Sequence, residues 1–181
     1  MAHEHDGIEI NISDTELSFE GIYKKAYFPK NYEEEIRRAN LLLVPSESFK
    51  GELCLNFPET TLEFLQYLKD NANEEVVPDI AVGDDDFQSL ELHSAVVVVT
   101  TFIVSSIIFP VAINMVSSYL YDLAKRYHRS DDDMQAELNI IVEENGRSKK
   151  VSYKGPASKV RTVLNSSIPE MFSGDNNNDI E

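Results

Sequence analysis

The fold of this chain depends on residues 94–121, which read SAVVVVTTFIVSSIIFPVAINMVSSYLY. This stretch of 28 residues contains no charged side chain, and basic residues close it at Lys125, Arg126 and Arg129. As a single helix it would be about 42 Å long, which exceeds the roughly 30 Å of hydrocarbon in a bilayer. The stretch therefore predicts a membrane-inserted helix.

A proline divides this stretch. Pro110 in a helix interior would remove a backbone hydrogen bond and kink the helix. We therefore expect a uniformly apolar half over residues 95–109 and an amphipathic half over residues 111–127. The side chains expected to contact lipid or a partner are spread over both halves: Val97, Phe102, Ile107, Pro110, Val116, Leu120 and Tyr127.

The orientation of such a helix is difficult to satisfy. Basic residues after the stretch would place its C-terminal side in the cytoplasm, so the preceding residues would have to cross the membrane. Residues 1–6 lack the basic and apolar regions of a signal peptide. One solution is a re-entrant hairpin broken at Pro110. The alternative is a soluble interaction module, whose apolar helices are buried in a homo-oligomer or against a partner protein.

The flanking sequence predicts an α+β (mixed) protein in four segments. Residues 1–92 alternate helix and strand patterns and indicate a small acidic α/β domain. Residues 93–129 are the apolar helical segment. Residues 134–167 predict a ββα module, because Asn145-Gly146 between two strand patterns is a strong hairpin signal. The polar residues 168–181 predict a disordered tail.

Charge restricts the partners. The chain has 16 basic and 32 acidic residues, a net charge of -16, which disfavours nucleic-acid binding through a basic surface. Residues 1–92 hold 7 basic and 21 acidic residues, a net of -14, whereas residues 93–181 hold 9 and 11, a net of -2. A local basic face on the ββα module could pair with the acidic half. We expect a protein partner or self-association, with a membrane as a further candidate.

The sequence contains no recognisable catalytic or cofactor motif. Neither the glycine-rich loops of nucleotide binders nor a nucleophile elbow is present, and Asp84–Asp86 and Asp131–Asp133 lack the spacing of a calcium loop. We therefore predict a non-enzymatic protein with no cofactor and no metal, although an enzyme without a known motif is an alternative. The sequence identifies no small-molecule substrate. The single cysteine, Cys54, predicts a reducing compartment, at the cytoplasmic side of the membrane or in the cytoplasm.

The C-terminal half carries a resemblance. The Asn145-Gly146 turn and the run Tyr153-Lys154-Gly155-Pro156-Ala157, which leads into the last helix, follow an apolar segment with a basic end. In this order residues 95–165 resemble the C-terminal modules of small bacterial proteins, some of which accompany effectors in conflict or phage-defence loci. The resemblance implies an accessory or adaptor role in antiviral defence, and it implies no catalytic residue.

Overall fold

A computed structural model describes residues 3–5, 7–46, 56–91, 95–130 and 132–173 of the protein. These residues form both helices and a mixed β-sheet, so the predicted α+β class is confirmed. The helices are α1 (Phe19–Tyr23), α2 (Glu33–Ile36), α3 (Thr61–Asn71), α4 (Phe109–Arg126) and α5 (Val160–Met171). The strands are β1 (His3–His5), β2 (Ile8–Thr15), β3 (Leu41–Leu43), β4 (Asn56–Pro58), β5 (Pro78–Ile80), β6 (Gln88–Leu90), β7 (Val96–Val98), β8 (Phe102–Ser105), β9 (Gln135–Glu144) and β10 (Arg147–Pro156).

Eight of these strands form one sheet, in the order β1-β2-β10-β9-β8-β3-β5, with β7 also paired to β9. Strands β7 and β8 both run parallel to β9, at Gln135–Glu137 and at Ile140–Glu143 respectively. Helix α4 connects β8 to β9, and α3 belongs to the connection along the chain between the parallel neighbours β3 and β5. Strands β4 and β6 form a separate parallel pair.

The centre of the sheet, β3, β8 and the middle of β9, is buried on both faces. Successive side chains of a strand point to opposite faces, and here both sets are apolar. The first face, which includes Leu43, Val104 and Ile140, belongs to a core shared with α3, α4 and α5. The second face, which includes Leu42, Ile103 and Ile141, is covered by residues of α1, α2 and their connection.

The prediction of one long helix kinked at Pro110 is wrong. Residues 96–98 and 102–105 form β7 and β8 instead, because β-branched residues pack well in strands, and β8 is covered on both faces. Helix α4 begins only at Phe109, and Pro110 lies in its first turn, where the missing N–H needs no helical partner. Pro110 therefore starts a helix and does not kink one.

The prediction of a membrane-associated protein with a transmembrane helix is also wrong. In the described part of the chain, no helix combines the length and the apolar character that a membrane crossing requires. One side of α4 is polar and exposed, at Asn114, Ser118, Asp122 and Lys125. The alternative, burial in protein, agrees better with the structure. The nine buried residues of α4 are covered by the chain's own sheet and helices.

The predicted hairpin forms between β9 and β10. Asn145 and Gly146 both have positive φ, 50° and 78°, as a two-residue type I′ turn requires. Strand β10 also pairs with β2, so strands from the predicted acidic domain and from the predicted ββα module are neighbours in one sheet. The division into independent domains stays a prediction.

Two further sequence predictions concern the disordered tail and the pairing of oppositely charged surfaces. Helix α5 runs to Met171, which lies inside the segment predicted as a disordered tail. Residues 174–181 of that tail lie outside the described residues, as do Cys54 and Asp131. The predicted pairing between the basic module and the acidic half is seen in an ion pair between the Lys149 ammonium and the Asp14 carboxylate.

Candidate functional site

The structure divides the predicted contact residues into buried and accessible ones. Phe102, Val116 and Leu120 are fully buried in the chain's own core, so they cannot contact lipid or a partner in this fold. Ile107 is 84% exposed in the turn before α4, and Pro110 is half-buried. Val97 and Tyr127 line the same cavity near the end of α4.

This edge cavity has a volume of about 380 Å³ and lies between β7, the C-terminal end of α4 and the residues that precede α3. Its apolar lining includes Val97, Leu123 and Met134, and the exposed ring of Tyr127 lies at its side. Glu59 and Arg129 contribute charged groups. The cavity therefore combines an apolar interior with two charges of opposite sign.

The end of α4 positions two of these residues. The Tyr127 N–H donates to the Leu123 carbonyl at 3.1 Å, and the Arg129 N–H donates to the Ala124 carbonyl at 2.8 Å. His128 lies between them with φ at 53°, a left-handed conformation of the kind that commonly terminates a helix. This reversal places the side chains of Tyr127 and Arg129 on the same cavity.

Buried hydroxyl groups hold the opposite wall. The Thr61 hydroxyl donates to the Pro58 carbonyl at 2.7 Å and lies 2.6 Å from the Thr100 hydroxyl, which must then be the donor of that second bond. Both threonines are buried. These bonds connect the start of α3 to the break between β7 and β8. They thus fix the segment that carries Glu59 relative to Val97.

Some charged side chains near the edge cavity form an ion pair, whereas others do not. The Arg126 guanidinium lies 2.8 Å from the Glu63 carboxylate, an exposed ion pair that joins α4 to α3. Burial, together with the nearby Glu63 carboxylate, raises the pKa of Tyr119, whose ring contacts the ring of Phe64 on α3. Within the described ranges, neither Glu59 nor Arg129 has an ion-pair partner.

The edge cavity offers groups suited to non-covalent binding. Its lining includes the polar side chains of Glu59, Thr60 and Arg129, which can form hydrogen bonds or ion pairs with a ligand. Across the residues that the structure describes, no group of three or more His, Cys, Asp or Glu side chains is placed to hold a metal ion. The arrangement can accept an apolar side chain and pair with charges that flank it.

Sequence reasoning identified Val97 and Tyr127 but missed Glu59 and Thr60 as parts of the same site. Arg129 was noted only as one of the basic residues that end the apolar stretch. The position of Arg129 after a helix could have indicated a role in a site. Its large separation in sequence from Glu59 gave no indication that the two residues share one surface. No protein-family model, curated protein or solved structure matches this chain.

Proposed function

We propose that this chain is a non-enzymatic protein-interaction module that binds a segment of a partner protein in the edge cavity. The observation that carries this proposal is the combination of an apolar cavity of about 380 Å³ with Tyr127, which is 59% exposed beside it. Tyrosine is enriched at interfaces because its ring offers a large apolar area and its hydroxyl group can hydrogen-bond.

The charges at the cavity define the segment that fits. The Glu59 carboxylate attracts a basic side chain, and the Arg129 guanidinium can bind a carboxylate in a bidentate manner. We therefore propose an occupant with an apolar side chain for the interior, flanked by one basic and one acidic residue. Such opposed charges fix the direction in which the segment lies.

Net charge favours a different protein over a second copy of this chain. Two copies would each carry -16 and repel one another at long range. A partner of net positive charge would instead be attracted, which raises the rate of encounter. An accessory role beside bacterial defence effectors, which the resemblance implies, requires a surface of this kind and stays a hypothesis.

Selection of peptides tests this proposal. A random peptide library displayed on phage would be selected on the full chain and depleted on a Tyr127→Ala variant. We expect enriched peptides with an apolar residue flanked by opposite charges. A synthetic consensus peptide should bind at least tenfold more weakly to Tyr127→Ala, a loss of about 1.4 kcal/mol, in fluorescence polarisation.

Tyr121→Ala is the matched control. Tyr121 is 49% exposed on α4 but does not line the cavity, and the Lys125 ammonium lies 5.0 Å from its ring centre. Loss of the Tyr121 ring should leave the peptide affinity unchanged. An absence of enrichment, or an equal loss of affinity in both variants, would refute the proposal. A concentration-dependent dimer that Tyr127→Ala abolishes in sedimentation would replace the partner with a second copy.

A further inference from the structure

A second cavity lies on the other face of the sheet, where the covered part of that face meets the uncovered part. It has a volume of about 260 Å³ and is lined on one side by apolar residues, including Ile22, Val44 and Ile141. Thr101, Asn139 and Lys150 line it as well, from β9, β10 and the residue before β8. We call it the lysine cavity.

The lysine cavity contains a cation, and among the residues that the structure describes no Asp or Glu lines it, although the chain as a whole carries a net charge of -16. Lys150 is half-buried, and no ion pair of Lys150 is found in the described part of the chain. A half-buried ammonium of this kind can bind an anion through charge-assisted hydrogen bonds.

Cross-strand neighbours explain why this lysine differs from the next one on the same face. Lys154 is opposite Glu9 on β2 and Glu137 on β9, so acidic residues flank it on both sides. Lys150 is opposite Ser13 and Ile141, neither of which carries a charge.

Two nearby acidic residues are directed to other partners. The Asp14 carboxylate pairs with Lys149, which alternates with Lys150 and therefore belongs to the opposite face of β10. The Glu143 carboxylate, two residues beyond Ile141 on β9, accepts a hydrogen bond from the Phe19 N–H at 2.9 Å. Glu143 thus caps the start of the covering segment and is not directed at Lys150.

Neutral donors complete the polar side of the lysine cavity. The Ser152 hydroxyl donates to the Asn139 side-chain oxygen at 2.8 Å, which leaves the Asn139 Nδ2 group as the donor available to a ligand. The Thr101 carbonyl accepts from the Val44 N–H at 2.9 Å, so this bond holds the backbone that carries the Thr101 hydroxyl. An ammonium, an amide and a hydroxyl therefore surround one space.

We propose that the lysine cavity binds a small organic anion, a carboxylate attached to a short apolar group. The carboxylate would accept charge-assisted hydrogen bonds from Lys150 and bonds from Asn139, and the apolar group would contact Ile22 and Val44. The volume of about 260 Å³ lies just below the range of about 300–1,000 Å³ that drug-sized ligands occupy. The ligand is therefore of metabolite size.

Nuclear magnetic resonance titration of the full chain tests this inference. Isobutyrate, benzoate, inorganic phosphate and the neutral analogue isobutyramide would be added separately. We expect saturable shifts at the Thr101 amide and the Asn139 side-chain amide with isobutyrate or benzoate, and no saturable shift with isobutyramide. Lys150→Met, which keeps an unbranched apolar side chain, should weaken carboxylate binding at least tenfold, about 1.4 kcal/mol.

Lys154→Met is the matched control, because it removes the same charge from the same face of the same strand. It should bind the carboxylates like the wild type, and dispersed amide spectra of both variants would show that they fold. The inference fails if neither carboxylate gives a saturable shift, or if Lys150→Met responds like the wild type. Binding of phosphate alone would also overturn it, because the apolar group would then have no role.

Discussion

The centre and the side of the sheet have different sequence patterns because they differ in the number of faces that other elements cover. At the centre, β3 and β8 are covered on both faces and read as continuous apolar runs, Leu41–Leu43 and Phe102–Val104. At the side, β2 is covered on one face only, and its apolar residues Ile8, Ile10 and Ile12 alternate with exposed ones. The number of covered faces, and not the strand itself, determines the pattern.

The burial of β8 on both faces explains why the membrane prediction is wrong. A strand buried on both faces and the apolar helix that follows it form one uncharged stretch, which resembles a bilayer span in composition. On the second face, the α1–α2 segment covers only part of the sheet. It covers Ile141, whereas Ser152 and Lys154 lie outside that core. The lysine cavity forms at this boundary.

The largest expected effect tests the double burial of the centre. Ile103 is fully buried on the second face, so Ile103→Ala should reduce the free energy of unfolding by about 2–5 kcal/mol, as for other buried isoleucines. Ile107→Ala is the control at an 84% exposed position and should change it by less than about 0.5 kcal/mol. Urea unfolding measures both. Equal losses would contradict the burial of β8 on its second face.

The next effect tests the helix that covers the first face. Asn114 is exposed inside α4, so Asn114→Pro removes a helical hydrogen bond without removing packing and should destabilise the chain by about 3 kcal/mol. Pro110→Ala lies in the first turn and should shift stability by less than about 1 kcal/mol. Thermal unfolding followed by circular dichroism distinguishes the two. A loss in Pro110→Ala as large as that in Asn114→Pro would contradict the placement of Pro110 in the first turn of α4.

A smaller effect tests the connection between the centre and α3. Thr100→Val keeps the shape of the side chain but removes the hydroxyl that donates to Thr61, and should cost about 1–3 kcal/mol because a buried acceptor loses its partner. Thr101→Val, at the neighbouring half-buried position, should cost less in the same urea measurement. If the two variants are equally stable, the bond between the threonine hydroxyls contributes nothing.

The smallest effect concerns the side of the sheet and depends on pH. Tyr153 on β10 donates to the Pro156 carbonyl at 2.6 Å, and burial raises the pKa of Tyr153 to about 12. An unfolded tyrosine titrates near pH 10, so the stability contributed by neutral Tyr153 is present below about pH 10 and is lost as pH rises toward about 12.

Tyr153→Phe should therefore cost about 0.5–1.5 kcal/mol near neutral pH, through the lost hydrogen bond. The difference from the wild type should shrink in urea unfolding at about pH 11, because phenylalanine cannot ionise. Burial also raises the pKa of Tyr67, so the absolute stability of both proteins should fall there. A difference that stays constant with pH would show that Tyr153 titrates normally when folded.

Part of this fold could be predicted from local sequence alone. The Asn145-Gly146 turn and the β2 pattern are local signals, because turn geometry and one-sided burial act on neighbouring residues. The candidate site could be predicted only in fragments. Val97 and Tyr127 were identified for their apolar or aromatic character, whereas Glu59 joins them because α3 packs beside the end of α4.

The sequence by itself determined the α+β class, the β9–β10 hairpin and the burial of most of the uncharged stretch, since these follow from composition and short-range periodicity. Only the tertiary structure decided what covers that stretch. Whether residues of the stretch form a strand or a helix, and whether lipid or protein covers them, depends on whether other elements supply an apolar surface on each face of β8. Long-range pairing likewise placed Lys150 between uncharged neighbours and Lys154 between acidic ones, a difference that no local pattern encodes.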